Sequence, residues 1–285
     1  MVPVYRARPF DPTSDDGLRI DVELVVDWLV KFLRDECVRR RGMDRAIVGL
    51  SGGVDSAVTT YLCARAFEPQ NVYAFRMPYK SSSQESLDHA QLVADDLGVQ
   101  LHTIPITKMV DGYAGHEAEM TAGRLGNVCA RARMIVLFDQ SAKLGGLPIG
   151  TGNKSERLFG YFTWHADDSP PINPLGDLFK TQVWQLARHL GVPSVIVDKP
   201  ATADLIKGQT DEGDFGITYA KADRILNLMV QGYPRRKLVE MGFDPHEVEL
   251  VWGKVDATHW KRRPPTVAML STGAIGDYYL RPVDY

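Results

Sequence analysis

The chain has 285 residues, 44% of them hydrophobic and 24% charged. Those globular proportions exclude a disordered or fibrous protein and leave one large domain or two small ones. A formal charge of −3 and a pI near 6.2 give no general attraction to nucleic acid or to an anionic membrane surface.

No apolar run approaches the ~20 residues of a bilayer-spanning helix, and Met1 to Asp16 lacks the apolar stretch of a signal peptide. Cys37, Cys63 and Cys129 have no CxxC spacing, which argues against a disulfide framework or thiolate zinc site and suits a reducing cytoplasm. The elements then follow in order. Val22, Val25, Val26, Leu29, Val30 and Leu33 recur at helical spacing between Asp21 and about Arg39. Ala46 to Leu50 reads as a short buried strand, Ser51-Gly52-Gly53 as a turn, and Val54, Ala57, Val58, Tyr61 and Leu62 as a new helix. Val72 to Met77 is a second strand, and the serines 81–83 can cap a helix that runs to Leu97 and stops at Gly98. Val99 to Ile104 reads as a third strand, Arg124 to Leu144 as a long helix, and Leu147 to Gly150 as a fourth strand. A Pro-rich loop from His165 to Leu178 leads to a helix from Phe179 to Leu190, with helical and loop segments beyond.

Strands alternating with helices predict an α/β fold: a doubly wound, mainly parallel sheet with helices on both faces and a C-terminal helical extension. The expected organisation is one domain over 1–285, with an N-terminal segment and helix (1–43), a core (44–219) and the extension (220–285). Ligands bind such sheets at the carboxyl ends of the strands, where the glycine-rich stretches after Leu50 and Ile149 fall.

The first of these stretches is Gly49-Leu50-Ser51-Gly52-Gly53-Val54-Asp55-Ser56. A strand passing through Ser-Gly-Gly into a helix aims successive N–H groups at one spot, and the helix terminus adds partial positive charge, so phosphate is favoured. Asp55 in an anion site calls for a reason, and a Mg²⁺ shared with the phosphates is the usual one. A Walker A loop is excluded because no lysine stands here. Gly49 to Gly53 also fits GxSxG, which would make Ser51 a hydrolase nucleophile, although no HGGG-type segment lies upstream. A plain tight turn is the third reading.

The longer match Ser51-Gly52-Gly53-Val54-Asp55-Ser56 resembles the signature of the ATP pyrophosphatase group, in which the loop holds the pyrophosphate leaving as ATP adenylates a carboxylate or carbonyl oxygen. Within that group, Gly150-Thr151-Gly152-Asn153-Lys154-Ser155-Glu156 continuing to Gly160-Tyr161-Phe162-Thr163 resembles the GTxxxxE…GYFT block of NAD synthetases. Arg131 to Met134, Lys180 to Val183, Thr202 to Leu205, and Gly208 to Glu212 leading to Gly216-Ile217-Thr218-Tyr219 point the same way. The resemblance spans about Asp44 to Tyr219, more loosely His259 to Pro265, and is to the stand-alone, ammonia-using form.

That resemblance implies ATP-dependent adenylation of the nicotinate carboxylate of deamido-NAD, then amidation by ammonia, giving NAD, AMP and pyrophosphate. It implies Asp55 and Glu156 as Mg²⁺ ligands, hard oxygens suited to that ion. Thr151, Lys180 and Thr202 match ATP-contacting positions, Lys180 as the cation at the phosphates, and Arg76 and Gln84 are weaker candidates for the nucleotide. Arg131 matches a dinucleotide-contacting position, where a planar guanidinium suits phosphate or carboxylate. The family also implies a homodimer. Taken singly, Glu156, Lys180, Arg131 and Arg133 read as solvated charges, Tyr161, Phe162 and Trp164 as core aromatics, and Cys63 and Cys129 as buried thiols. No histidine spacing suggests zinc.

The sequence departs from the family in the acceptor region. Where the family reads FTKxGDGxxD, this chain reads Phe162-Thr163-Trp164-His165-Ala166-Asp167-Asp168-Ser169-Pro170-Pro171. Trp164 takes the place of a substrate lysine and Pro171 that of an aspartate, while Asp167 keeps an acidic position. The family's His-Lys-Arg reads His259-Trp260-Lys261-Arg262, so Trp260 stands for a second lysine, or a one-residue shift brings Lys261 into place. The expected acceptor-binding set is therefore Arg131, Trp164, His259 and Trp260, with tryptophan able to stack on a nicotinate ring. An ATP pyrophosphatase amidating another carboxylate is the nearest alternative.

Overall fold

The computed structural model describes residues 14–202, 210–263 and 266–270. Ala203 to Leu205, Gly208-Gln209 and Pro264-Pro265, which carry parts of the expected motifs, lie outside the described residues. Four parallel strands, β1 (Ala46–Gly49), β2 (Val72–Arg76), β3 (Gln100–Thr103) and β4 (Leu147–Ile149), form a sheet in the order β3-β2-β1-β4. Chain order runs outward from β1 to β3 and then returns to β1's other side with β4. The crevice between β1 and β4 is thus the point where the winding reverses, the usual ligand position in such sheets.

Strand alternation supplies both cores. Ala46, Val48, Val72 and Ala74 face one side, where they pack with α1 (Val22–Leu33), α2 (Val54–Phe67), α3 (Gln84–Leu97) and later α7 (Lys180–Leu190). Ile47 and Phe75 face the other, against α4 (Thr107–Ala114) and α5 (Ala122–Leu144). Helix α2 is buried almost all round, lying between the sheet and the α1 and α7 helices, so its sequence shows no polar stripe. Beyond Leu33 the first helix continues as a π-helical stretch, Arg34–Arg39, around the buried Cys37. All three cysteines are free and buried.

A third core lies under the C-terminal helices. It joins α6 (Lys154–Phe159), α8 (Ser194–Val197) being outside it, with α9 (Asp211–Phe215), α10 (Tyr219–Val230), α11 (Arg235–Glu240) and α12 (Pro245–Thr258). Phe159, Phe179, Phe215 and Tyr219 form its aromatic centre, and Trp184 on α7 packs against both this core and the sheet core. The expected strands and long helices match within a residue or two. Helices α4 and α6 fall where no helix is expected from the sequence.

Candidate active site

The turn after β1 is shaped by two close approaches. Gly52 has φ +88°, and a Cβ there would lie 2.1 Å from the Ser86 carbonyl oxygen at the start of α3, so only glycine fits. Ser51 Oγ lies 3.1 Å from Ser56 Oγ and accepts the Gly53 N–H at 3.3 Å, while the Ser56 hydroxyl donates to the Gly53 carbonyl at 2.9 Å. These bonds hold the turn open at the N-terminus of α2, where Gly53 is the cap residue and contributes no side-chain acceptor. No histidine is among the described residues lining the cavity around Ser51, and its hydroxyl is engaged by Ser56. The nucleophile-elbow reading therefore lacks its general base.

In the first turn of α2, Asp55 meets the second glycine-rich stretch. Asn153 caps α6 through its Oδ1, which accepts the Glu156 N–H at 2.9 Å, while Glu156 Oε2 accepts the Asn153 N–H at 3.2 Å. This capping box fixes the Glu156 carboxylate. The Asn153 amide also donates to Asp55 Oδ1 at 2.9 Å, tying α6 to α2. Lys180, the first residue of α7, pairs with Asp55 Oδ2 and lies 3.6 Å from Glu156 Oε1. Its side chain is only 2% exposed, against 17% for Asp55 and 19% for Glu156.

The charges explain one another. Burial acts to depress the Lys180 ammonium, but the Asp55 and Glu156 carboxylates outweigh it and hold it above the ordinary lysine range. Burial, and then the Asp55 charge, push Glu156 up to about 8 against the pull of Lys180. Asp211 on α9, its carboxyl raised mainly by burial, lines the same cavity. Its Oδ2 accepts the Tyr219 hydroxyl at 3.0 Å, and among the described residues its buried Oδ1 has no hydrogen-bond partner.

The cavity between the two glycine-rich stretches has a volume of about 560 Å³, in the range of small-molecule sites. Of the ATP candidates, Gly49, Leu50, Ser51, Gly53, Val54, Asp55, Ser56, Arg76, Thr151, Lys180 and Thr202 line it, together with Glu156. Gly52 lies behind the turn, and Gln84 turns to Asp88, donating at 2.8 Å. Of the acceptor candidates, Arg131, Trp164 and Trp260 adjoin one another, and none of the four lines the cavity. Arg131 donates to the Trp164 carbonyl at 3.0 Å, the Trp164 and Trp260 rings meet edge to face at 5.3 Å, and His259 Nδ1 lies 2.7 Å from the Asp256 carbonyl. The Lys261 ammonium is bonded to the Gly160 and Phe162 carbonyls, so Trp260, not Lys261, joins Trp164.

Three residues in this region went unassigned from sequence. Asn153 and Asp211 stand inside the Gly150–Glu156 and Gly208–Glu212 motifs, whose spacing alone gives neither a role. Arg133, not Arg131, lines the cavity. Two residues apart on α5, they point in widely different directions, and the buried Cys129, Ala132 and Val136 were the pattern that could have separated them.

A parallel sheet that reverses at β1, a Ser-Gly-Gly turn at the reversal and a lysine between two carboxylates define a nucleotide-binding α/β enzyme of the ATP pyrophosphatase type. The NAD synthase family description matches residues 25–265, and the chain belongs to that family. An NH(3)-dependent NAD(+) synthetase of Trichlorobacter lovleyi is 47% identical over 255 residues, 89% of this chain and 93% of its relative. The solved NH3-dependent NAD synthetase of Campylobacter jejuni superposes with a TM-score of 0.76 at 29% identity, covering 88% of this chain and all of that one. The NMN synthetase of Francisella tularensis superposes with a TM-score of 0.78 at 28% identity over 88% and 99%. The protein is a ligase that forms a carbon–nitrogen bond with ATP as co-substrate.

Proposed function

We propose that this enzyme makes NAD from deamido-NAD, ATP and ammonia. The nicotinate carboxylate oxygen attacks the α-phosphorus of ATP and pyrophosphate leaves; ammonia then attacks the acyl adenylate carbon, expelling AMP and releasing a proton. The observation that carries this reading is the Asp55–Lys180–Glu156 constellation beside the Ser51-Gly52-Gly53 turn. In it, the turn's N–H groups and the Lys180 ammonium bind and orient the polyphosphate, with Thr151, Thr202 and Arg76 around it.

Asp55 and Glu156 fit Mg²⁺ as hard oxygen donors. Among the described residues no group of three His, Cys, Asp or Glu side chains is placed to hold a metal, so phosphate and water oxygens would complete the shell, as that ion prefers. Mg²⁺ when bound neutralises phosphate charge at the attacked centre. Arg131, Trp164, His259 and Trp260 are the proposed acceptor-binding set, beside the cavity. We treat 1–285 as a single domain, working as a homodimer in the cytoplasm, where three buried free thiols stay reduced.

In a pyrophosphate-release assay, AMP and pyrophosphate form only when deamido-NAD is present, and Asp55→Ala or Glu156→Ala abolishes both. Release that is indifferent to deamido-NAD defeats the reading. A second reading, amidation of nicotinate mononucleotide, is supported by the likeness to the NMN synthetase of Francisella tularensis at a TM-score of 0.78. A higher kcat/KM for the mononucleotide in the same assay selects it.

A further inference from the structure

Asp223 lies on α10, outside the cavity, and is wholly buried. Its Oδ1 accepts the Ser155 hydroxyl at 2.5 Å. Its Oδ2 accepts the Thr181 N–H at 2.9 Å and the Thr181 hydroxyl at 2.8 Å. Ser155 Oγ in turn accepts the Lys180 N–H at 2.9 Å. One carboxylate therefore joins the first turns of two helices. Ser155 immediately precedes Glu156 on α6, and Thr181 immediately follows Lys180 on α7.

The three donors favour a carboxylate. Both oxygens act only as acceptors, three donors converge on them, and an asparagine would turn an N–H₂ toward one of those donors. Among the described residues no lysine, arginine or histidine forms an ion pair with Asp223. A buried, unpaired carboxylate is costly, and apolar packing in its place commonly serves stability as well or better. Its position instead serves spacing. The two helix starts it joins are those that present Glu156 and Lys180 to Asp55.

We infer that Asp223 is a positioning residue, which holds the starts of α6 and α7 at the separation that brings the Lys180 ammonium to both carboxylates. The inference rests on the reading of this centre as the ATP-adenylating site.

The test compares Asp223→Asn with Leu226→Ala, a destabilising change in the buried face of the same helix. Asp223→Asn lowers kcat for pyrophosphate release at least tenfold with KM for deamido-NAD within about threefold, while Leu226→Ala at matched thermal stability keeps kcat near wild type. Thr181→Val and Ser155→Ala each lower kcat, and either one combined with Asp223→Asn is no worse than Asp223→Asn alone, since all act through one contact. If Asp223→Asn does not fold, the same non-additivity between Thr181→Val and Ser155→Ala carries the test. A crystal structure of Asp223→Asn, or of Thr181→Val, shows the 3.6 Å Lys180–Glu156 contact opened. Wild-type kcat in Asp223→Asn, equal kcat loss in Leu226→Ala, or an unchanged Lys180–Glu156 distance overturns the inference. Absence of pyrophosphate release by the wild type overturns the functional reading instead, and the crystallographic distance still judges the positioning role.

Discussion

Lys180 is the residue on which the charge balance of the site turns. Removing one partner of a buried ion pair leaves the other charge stranded, at a cost of about 3–5 kcal/mol. Lys180→Met strands the Asp55 carboxylate, and its unfolding free energy in urea falls by roughly that amount. Adding Asp55→Asn restores part of the loss because that stranded charge is gone; if the double variant is as unstable as the sum of the singles, the two side chains do not interact. Glu156 carries a pH signature. Its carboxyl sits at about 8 in the folded protein and near 4.5 without the fold, so the folded state binds the proton more tightly. The resulting stabilisation is complete below about pH 4.5 and is lost as pH rises through about 8. Denaturant unfolding of wild type and Glu156→Gln at pH 5 and pH 8.5 shows the wild type losing stability relative to the variant at the higher pH. An equal change in both assigns no such proton to Glu156. The glycine turn was legible because its chemistry sits in eight consecutive residues. Glu156 and Lys180 were legible only through joint motif spacing, since each alone reads as a solvated charge. Asp211 and Asp223 were not legible as working groups, because their settings are made by contacts across the fold, such as the 68-residue separation of Ser155 and Asp223.

The elements around the site are short, and their ends matter more than their lengths. Helix α6 has six residues, too few for a hydrophobic stripe to reveal, yet its Asn153-x-x-Glu156 capping box is a readable start signal. Helix α4 mixes Lys108, Asp111 and Gly112 into eight residues, and tertiary contact of Val110 with the second core decides it. Helix α6 ends at Gly160, φ +63°, where a Cβ would lie 2.4 Å from the Thr258 Cβ at the end of α12. Gly160→Ala therefore strains the backbone and forces α12 off the loop that carries Tyr161 to Thr163. We expect a loss of roughly 2 kcal/mol or more in unfolding free energy. Thr258→Ala in the same background recovers part of the loss, because it removes the Oγ1 and Cγ2 atoms at 2.7 and 2.8 Å, and Thr258→Gly, which also removes the Cβ at 2.4 Å, recovers more. No rescue by either substitution places the conflict elsewhere.

At the scale of the molecule, the reversal of winding at β1 brings together segments that the chain keeps far apart. Asp55 and Lys180 are 125 positions apart, and Asn153 reaches Asp55 across 98. Strand alternation and helix periodicity made the layered architecture legible, since each reports a local burial pattern. The C-terminal core was legible only as further helices, because nothing local says that α10 and α12 pack on α6. That long closure has a consequence during synthesis on the ribosome. A nascent chain can wind β1 to β3 while its tunnel end is still growing, but it owns half a nucleotide grip until the α7 lysine emerges, and an unbraced one until α10 follows. Fragments left by interrupted translation or by proteolysis before α10 would therefore draw less from the cell's pool of ATP than finished molecules do, for want of the brace that joins α6 to α7.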